Sequence, residues 1–388
     1  MPTQTQRILV IGASIAGPAV CYWLKRFGFE PTLIERNHTL RMGGYAIDIR
    51  GIAVDVAKQM GVYEDIVMSR TSIKSNAHIN EKGETIHEEL GETFGFREGD
   101  DVEIVRSELV QILMQSIKEI PCRFNCYTTK IEQKEECVYV EFNDGSTETF
   151  DLIIGADGLH SKTRKHCFAD DEQAYNYLDS YISVFSAPNH WKLDQSSLFY
   201  EKDEKSIYIF SDHDPTESLI GLMFRAKSPY KNIKTREDKI NCLQEVFQNF
   251  GWEIETVFKL LNQSNDLYFD SNTQVKMPSW SKQRVVLVGD SGYCASPLSG
   301  QGTSLALVGA YILAGELKLS QGNHIEAFEQ YNRKLGPFVE ANQALGARVS
   351  EFFMVKDEQS PEAIDQRNKD IMNRINLAAN SISLPNYD

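Results

Sequence analysis

The hydrophobic pattern opens on a short apolar run at 8–11, Ile-Leu-Val-Ile, which is typical of a strand buried on both faces of a parallel sheet. Apolar positions three and four apart, from Ala19 to Phe27, then predict a helix that Gly28 ends. The segment 31–36 predicts a second strand. The start of the chain therefore predicts a strand–helix–strand unit.

The rest of the pattern separates helical stretches from strand-rich ones. Helices are predicted at 52–67 with a break at Gly61, at 104–119, at 235–262, from Thr303 to Lys318, and over most of the chain after Gly322 with a break near Ser360. Strands are predicted within 122–154, including a hairpin that turns at Asp144-Gly145, throughout 175–226, and at 284–288. The composition of 175–226 favours an antiparallel sheet that is exposed on one face.

These elements predict an α/β protein in which separated segments build one parallel α/β domain and a sheet-rich second domain is inserted into it. We expect the first domain to comprise residues 1–70, 104–171 and 273–320, the inserted domain 71–103 and 172–272, and a final helical bridge 321–388. The length of 388 residues agrees with two domains of ordinary size.

Charge and composition exclude several classes of partner. The chain has 40 Lys and Arg against 55 Asp and Glu, a formal net charge of −15, and so acidic a surface repels phosphate backbones and anionic lipid. No apolar segment reaches the roughly 18 to 20 residues that span a bilayer, and the first strand begins too early for a removable leader. We therefore expect a cytoplasmic protein that binds neither nucleic acid nor membrane.

A glycine-rich turn follows the first strand. Gly12 and Gly17 flank Ala-Ser-Ile-Ala, and Glu35 lies 18 residues after Gly17, at the end of the second strand. Such a turn presents backbone N–H groups to a pyrophosphate, and a carboxylate at the next strand end accepts from ribose hydroxyls. Ser14 stands where this pattern has its middle glycine. The turn predicts a dinucleotide site, and the alternative is a plain connection between strand and helix.

A second strand end carries an acidic residue. The apolar run 152–154 leads into Gly155-Ala156-Asp157-Gly158, which places Asp157 where open parallel sheets bind their ligands. The alternative is structural: Asp157 and Ser161 would only cap the helix that follows.

A third strand end leads into a turn rich in Pro and Gly. The apolar run 285–288 is followed by Gly289-Asp290, and the turn 296–303 begins the next helix. This arrangement directs backbone N–H groups and the positive end of a helix dipole at a ligand, which suits an anion that forms on a ring system. An ordinary strand–loop–helix connection is the alternative.

In this order and at this separation, the three segments resemble the signatures of the FAD-dependent aromatic hydroxylases, the single-component class A flavoprotein monooxygenases. The resemblance covers the whole chain and implies a fold like that of para-hydroxybenzoate hydroxylase, with a Rossmann-like FAD-binding domain, an inserted antiparallel-sheet substrate domain and C-terminal helices. Within this family the sequence is similar to the tetracycline destructases of the environmental and Legionella-type branch. The stretches that carry this closer likeness are Ala16–Val20 with Tyr22–Phe29, Ile47–Ala53, Gly91–Arg97, Ser296–Gly302 and Val308–Lys318.

The resemblance implies roles for the first motif. Backbone groups from Gly12 through Ser14 to Gly17 would meet the FAD pyrophosphate. Glu35 would hold the adenosine ribose, with Arg36 beside the adenine.

It also implies roles for residues outside that turn. Arg106, by itself an ordinary surface residue near a helix start, would contact the FAD phosphate and ribityl region, and Asp290 would hold ribityl hydroxyls. Asp48, after Gly43-Gly44, would lie near the flavin ring. Asp157 would serve both the pyrophosphate and the nicotinamide cofactor, which Arg41 would also contact. The residues expected to line the isoalloxazine lie between Pro297 and Gly302, among them Gly300 and Gln301.

The family chemistry belongs to the cofactor. The resemblance implies that NADPH or NADH reduces the FAD, that O₂ forms a flavin C4a-hydroperoxide, and that its distal oxygen hydroxylates an electron-rich carbon of the substrate. No protein nucleophile is required, and the sequence has neither a Gly-x-Ser-x-Gly motif nor a cluster of metal ligands. We expect no metal, and a monomer.

The substrate is expected over the flavin, against the inserted sheet. Candidate wall residues are Tyr45, Tyr200, Met223, Phe224 and Arg225, for each of which plain packing is the alternative. Arg225 is the candidate for an anionic or enolate oxygen such as tetracyclines carry. Aromatic and Met residues of the final helices, Phe338, Phe352, Phe353 and Met354, either cover this pocket or only pack the helices.

Three functions remain open at this stage. The first is inactivation of tetracyclines, and the second is hydroxylation of another polycyclic or phenolic compound by the same chemistry. The third is a flavin-binding protein whose redox state gates a partner, which would favour an added recognition domain or a tail with an exposed apolar stripe; we expect 388 residues to leave no room for an extra domain. Two departures from the family pattern bear on the flavin: Tyr293 where many members have His, and Ser304 where many have Asn.

Overall fold

The computed structural model describes residues 6–40, 45–90, 96–168, 171–230, 232–352, 356 and 360–388, with the backbone alone at 171–172. Its strands are β1 (Arg7–Ile11), β2 (Glu30–Ile34), β3 (Ala46–Ile49), β4 (Ser75–Ile79), β5 (Thr85–Leu90), β6 (Val102–Val105), β7 (Cys122–Arg123), β8 (Thr128–Gln133), β9 (Val138–Phe142), β10 (Thr147–Phe150), β11 (Leu152–Gly155), β12 (Tyr175–Pro188), β13 (Ser196–Lys202), β14 (Lys205–Ser211), β15 (Glu217–Arg225), β16 (Tyr268–Val275), β17 (Ser281–Lys282) and β18 (Val285–Leu287). Its helices are α1 (Ala16–Arg26), α2 (Ile52–Met60), α3 (Tyr63–Met68), α4 (Arg106–Ser116), α5 (Lys162–Cys167), α6 (Arg236–Val246), α7 (Ile254–Gln263), α8 (Asp290–Tyr293), α9 (Gly302–Leu319), α10 (His324–Phe352) and α11 (Pro361–Ala379).

One sheet has the strand order β17-β18-β11-β1-β2-β7. Its pairs are parallel except for β17 with β18. The apolar runs of β1 and β11 are buried almost throughout, which confirms the prediction of strands covered on both faces. Parallel pairing brings the carboxyl ends of β1, β2, β11 and β18 to one edge of this sheet.

The helix α9 passes through the core beside that edge. Trp23 of α1 packs against Tyr311 of α9, with ring centroids 4.7 Å apart. By length and composition α9 is the single helix of the described residues that could cross a membrane, but 83% of it is buried inside the fold, as in a core helix.

A second sheet has the order β16-β12-β15-β14-β13-β4-β5. Neighbouring strands are antiparallel except β13 and β4, which are parallel because β4 enters from a distant part of the chain. The prediction of an antiparallel sheet over 175–226 is confirmed, because β12 to β15 pair antiparallel, and the parallel neighbour β4 lies outside that stretch. A two-stranded ribbon, β3 with β6, and a three-stranded sheet, β8 to β10, complete the α/β fold.

The two faces of the second sheet differ in burial. One face packs against α6 and α7 in a continuous apolar cluster. Along β12 and β15, buried residues of that face alternate with half-buried residues of the other. We call the half-buried set the inner face: Ile182, Val184, Tyr208, Met223 and Tyr268.

The C-terminal helices contact both sheets. Arg367 of α11 forms a buried ion pair with Glu201 of β13, at 2.6 Å. At its other end α11 packs so closely on the first sheet's domain that a Cβ at Gly51 would lie 2.7 Å from the Ala379 carbonyl oxygen. In α10, Phe338 is fully buried in the core of the first sheet's domain, which fits the packing alternative for this residue.

The helix predicted at 104–119 begins late. Ile104 belongs to β6, where it pairs with Ile47 of β3, and α4 starts only at Arg106. The periodicity of this short apolar segment suits a strand end as well as a helix start, and the pairing partner decides between them. The stretch 235–262 is likewise two helices, divided near Gly251.

Candidate active site

Four polar or glycine-rich segments meet at the carboxyl edge of the first sheet. Gly12 follows β1, Glu35 follows β2, Asp157 follows β11, and Gly289-Asp290 follows β18. This is the edge where open α/β sheets bind their ligands. Strand pairing therefore assembles the three motifs that the sequence separates by more than a hundred residues.

Both outer glycines of the first turn are required by close approach. Gly12 has φ +110°, and a Cβ there would lie 2.5 Å from the Ala156 carbonyl oxygen. A Cβ at Gly17 would lie 1.9 Å from the Gly12 carbonyl oxygen. No side chain of the described part of the chain caps the N-terminus of α1, and its first turn has no acidic residue. The free N–H groups and the helix dipole thus suit a pyrophosphate.

The side chains around this turn hold its backbone in place. Glu35 accepts from the Ala13 N–H through Oε2 at 3.0 Å and from the Asn37 N–H through Oε1 at 2.9 Å. Arg106 donates from Nη2 to the Ser14 hydroxyl at 2.7 Å. Ser14, which replaces the middle glycine of the pattern, therefore holds the guanidinium of Arg106, the residue to which the family resemblance gives a contact with the FAD phosphate. Arg36 is exposed.

Asp157 is engaged with the start of α5. Its carboxylate accepts from the Ser161 hydroxyl at 2.5 Å and from the Thr163 N–H at 3.0 Å. Ser161 in turn accepts from the Arg164 N–H at 2.9 Å and is the N-cap residue. The capping role given as an alternative is confirmed, and the carboxylate fixes the turn at Gly158, where φ is +78°.

Asp290 lies where three elements converge. Gly289, with φ +67°, lets α1 and α9 approach, since a Cβ there would lie 3.1 Å from the Ala16 Cβ and 3.7 Å from the Ala306 Cβ. Asp290 is exposed, yet desolvation raises the pKa of its carboxyl, while Cys294 and Arg106 lower that pKa in part. A carboxylate that solvent still reaches, but that many protein atoms surround, lies in a concave part of the surface.

The segment from Ser296 to Gln301 leads into α9. Ser296 and Gly300 have φ of +75° and +62°. Gln301 is fully buried, and neither atom of its side-chain amide has a hydrogen-bond partner among the described residues. No described side chain caps α9, and a Cβ at Gly302 would meet only Asp290 Oδ1, at 3.8 Å. Orphaned amide atoms, open glycines and a free helix N-terminus fit the polar edge of a flavin.

Ser304 lies in the first turn of α9, and Asp48 lies in β3 beside that helix. The Ser304 hydroxyl accepts from the Arg50 N–H at 3.2 Å. Asp48 forms an ion pair with Arg50 at 2.8 Å, and Arg97 lies 3.6 Å from Asp48 and 2.9 Å from Glu103. Burial, and then the charge of Asp48, raise the pKa of Glu103.

The inner face meets this edge through two tyrosines. Tyr45 and Tyr268 have ring centroids 5.6 Å apart, and the Arg106 N–H donates to the Tyr45 carbonyl oxygen at 3.2 Å. Burial, and then the charge of Asp290, raise the pKa of Tyr45 to about 12. Burial also raises the pKa of Tyr268 well above its ordinary value. Both phenols are therefore neutral donors at neutral pH.

The candidate wall residues divide between the two faces of the second sheet. Tyr200 and Phe224 are 1% and 0% exposed and belong to the cluster under α6 and α7, so the structure does not bring them to the inner face. Met223 lies on the inner face. Arg225 is half-buried and donates from Nη2 to the Ser350 carbonyl oxygen of α10 at 2.5 Å.

Sequence reasoning missed Tyr208 and Tyr268 of the inner face. Side chains alternate between the two faces along β14 and β16, which is the sequence signal for these residues. That alternation shows which face each tyrosine occupies only once the pairing with β12, β13 and β15 is known. Arg41, Gly43, Gly44, Phe353 and Met354, and Gly91 to Gly95 of the destructase-like stretch, lie outside the described residues.

The chain matches known flavoproteins along its whole length. The family model described as FAD binding domain matches residues 5–343. A flavin-dependent monooxygenase of an unknown prokaryotic organism is 49% identical over 387 residues, with 100% of both chains covered, and one of Legionella longbeachae is 48% identical over 382 residues, with 98% of both covered.

Solved structures agree with these relatives. The crystal structure of tetracycline destructase Tet(55) is 48% identical with a TM-score of 0.93 and covers 100% of both chains. That of Tet(51) has 48% identity and a TM-score of 0.90, with 99% of this chain and 100% of the other covered. Because the fold, the dinucleotide edge and the full-length relatives agree, this chain belongs to the FAD-binding family of flavin-dependent monooxygenases.

Proposed function

We propose that this flavin-dependent monooxygenase hydroxylates and thereby inactivates tetracyclines, with NADPH or NADH as electron donor and O₂ as the oxygen source. The likeness to Tet(55) and Tet(51) over the whole chain supports the substrate class. The observation that carries the site is the contact between Tyr45 and Tyr268, which joins the aromatic inner face to the edge that carries Asp290 and Arg106.

The residues of the first sheet's edge would bind and orient FAD, which supplies the redox chemistry when it is bound. The N–H groups at the start of α1 would hold the pyrophosphate, with Arg106 beside them. Glu35 would accept from the adenosine ribose with Arg36 near the adenine, and Asp290 would accept from ribityl hydroxyls. Each of these contacts replaces water by a group already fixed in the fold.

The segment Pro297–Gly302 would line the ring system. The uncapped start of α9 stabilises negative charge there by about 0.3–1 kcal/mol if exposed and up to about 2 kcal/mol if partly buried. The buried Gln301 amide, which has a donor and an acceptor to satisfy, would pair with the polar edge of the ring. Asp48 would lie on the other side, held by Arg50.

The inner face would hold a planar, fused-ring substrate. Tyr208 and Tyr268 offer aromatic surface, and Met223 adapts to an irregular outline. Since the Tyr268 phenol stays protonated, it would donate a hydrogen bond to an enolate oxygen of the substrate. Arg225 would act on the substrate only indirectly, because its guanidinium donates to a carbonyl oxygen near the end of α10.

The nicotinamide cofactor would approach the turn that Asp157 fixes, and the family resemblance gives Arg41 a contact with the same cofactor. A reaction that consumes NADPH or NADH suits the cytoplasm, where we propose that the protein works as a monomer.

The test is NADPH consumption by the purified flavoprotein with and without tetracycline and chlortetracycline, followed by mass spectrometry. Faster consumption with a product one oxygen heavier supports the proposal. Peroxide release with unchanged drug contradicts it and moves the substrate to another polycyclic or phenolic compound. The variant Tyr268→Ala tests the inner face in the same assay, with Tyr177→Phe, in β12 and packed against the cluster under α6 and α7, as a control.

A further inference from the structure

The backbone from Cys294 to Gln301 forms only one short 3₁₀ helix, Pro297–Ser299, and its first residues need partners from elsewhere. Ser296 has a left-handed φ of +75°, which is unusual for a residue with a side chain. Within the segment, Ser299 donates to the Ser296 carbonyl oxygen at 2.9 Å and accepts from the Gln301 N–H at 3.1 Å. These local bonds leave the carbonyl groups of Cys294 and Ala295 to be satisfied by other parts of the chain.

Two buried glutamines donate to these carbonyl oxygens, and the Cys294 carbonyl oxygen also accepts from the Val275 N–H at 3.0 Å. Gln343 of α10 donates its amide to the carbonyl oxygens of Val275, at 2.7 Å, and Cys294, at 3.3 Å. Gln274 of β16 donates to those of Ala295, at 3.3 Å, and Gln343, at 2.7 Å. We call Gln274 and Gln343 the amide pair. The pair ties one strand of the second sheet, one C-terminal helix and the start of the segment into a single hydrogen-bonded unit.

A glycine lets α10 come close enough for these bonds. A Cβ at Gly346 would lie 2.3 Å from the Ala295 carbonyl oxygen and 3.3 Å from the Ser299 Cβ. Gly346 is one helical turn after Gln343, so both residues present the same face of α10 to the segment. The helix backbone therefore forms the wall on which the segment rests.

We propose that the amide pair and Gly346 are positioning residues that hold Pro297–Gly302, and with it the N-terminus of α9, at the correct distance from bound flavin. This inference rests on the proposed function, which places the flavin ring at that segment. The side-chain amides of Gln343 and Gln274 donate to backbone carbonyl groups. They act through the Cys294 and Ala295 carbonyl groups, which fix where the segment begins.

The first test compares two neighbouring buried amides of α10. Gln343→Met keeps the length of the side chain and removes the bonds to Val275 and Cys294. Asn342→Leu is the matched control, because Asn342 is fully buried but bonds to Phe338 and Ala378, away from the segment. Both should lower the unfolding midpoint of the cofactor-free protein.

Only Gln343→Met should change the flavin. We expect its FAD dissociation constant to rise about tenfold, which corresponds to about 1.4 kcal/mol, and the visible spectrum of the bound flavin to shift. Reduced FAD should lose more affinity than oxidised FAD, because the helix N-terminus stabilises the reduced anion, so the midpoint potential should become more negative. Unchanged affinity and spectrum in folded Gln343→Met, or an equal change in Asn342→Leu, would overturn the proposal.

A second pair of variants covers a failure of Gln343→Met to fold. Gly346→Ala pushes directly on Ala295, whereas nothing described lies within 4 Å of a Cβ at Gly336 of the same helix. We expect weaker FAD binding in Gly346→Ala and wild-type binding in Gly336→Ala, and equal binding in the two would refute the positioning role. If the wild-type protein itself binds no FAD, the proposed function fails, and that outcome is distinct from both of these.

Discussion

The hydrogen bond between Arg106 and Ser14 provides a quantitative test of how this site is assembled. Arg106 Nη2 donates to the Ser14 hydroxyl at 2.7 Å across 92 residues of sequence. A hydrogen bond to a charged group contributes about 1.5–3 kcal/mol, and we take the lower end, about 1.5 kcal/mol, because the pair is only partly buried. We therefore expect Ser14→Ala to lower the free energy of unfolding by about 1–2 kcal/mol.

A double-mutant cycle isolates the bond. Arg106→Met also removes the charge that acts on Tyr45 and Asp290, but this loss occurs in both arms of the cycle and cancels. The free energies of unfolding of the wild type, Ser14→Ala, Arg106→Met and the double variant would be measured by urea denaturation of FAD-free protein. We expect a coupling energy of about 1–1.5 kcal/mol.

The result that refutes the reasoning is additivity. A coupling energy within about 0.3–0.5 kcal/mol of zero is what independent sites show, and it would mean that Ser14 does not anchor Arg106. Titrating the same four proteins with FAD separates the contribution of Arg106 to stability from its contribution to FAD binding. If Ser14 prepositions Arg106, Ser14→Ala should weaken FAD binding in the wild-type background and have little effect in Arg106→Met.

Three further outcomes are expected. Gly17→Ala should lose FAD binding at least tenfold, because its Cβ would lie 1.9 Å from a backbone oxygen, whereas Gly336→Ala should bind normally in the same fluorescence titration. Tyr268→Ala should raise the KM for tetracycline with little loss of stability. Tyr200→Ala should instead lower the free energy of unfolding by about 3–5 kcal/mol in urea denaturation, because that ring is buried under the helices. If only Tyr200→Ala changed the KM, the assignment of the two faces would be contradicted. Burial, and then the charge of Arg367, lower the pKa of His78 to about 4, so the unfolded chain binds the proton first as the pH falls. The free energy of unfolding should therefore decrease between about pH 6.5 and pH 4, and it should decrease less in His78→Asn. A decrease of the same size in both proteins would contradict this explanation.

The dinucleotide edge could be predicted from sequence because its signals are local. An apolar run, a glycine that a side chain could not replace, and an acid at the next strand end all lie within one strand–helix–strand unit. Gly12 and Gly17 illustrate this, since both have backbone oxygens within 2.5 Å of where a Cβ would be. The fold class follows from the same signals, repeated at Asp157 and Asp290.

The inner face could not be predicted, because a strand residue faces one side or the other according to its register. Tyr200, Tyr208 and Phe224 are all aromatic residues in the predicted strands of 175–226, whereas Tyr268 lies in β16, a strand that the sequence did not predict. Tyr200 and Phe224 pair with Ile207 and Tyr181 in the helix-covered layer. A shift of one residue exchanges the layers, and which face meets the cofactor depends on how the two domains dock.

Two serines, Ser14 and Ser304, stand where the family pattern has other residues. They illustrate how the site tolerates these departures from the pattern. Ser14 accepts from the Arg106 guanidinium, and Ser304 accepts from the Arg50 N–H. In each case a hydroxyl near the start of a helix, α1 or α9, is tied to the β3–β6 ribbon, because Arg106 follows β6 and Arg50 follows β3. A hydroxyl retains both a donor and an acceptor, so each serine, while accepting from its arginine, can still donate to the cofactor. The departures therefore link the ribbon to the cofactor edge at two points, and loss of one link should weaken FAD binding more when the other is already absent.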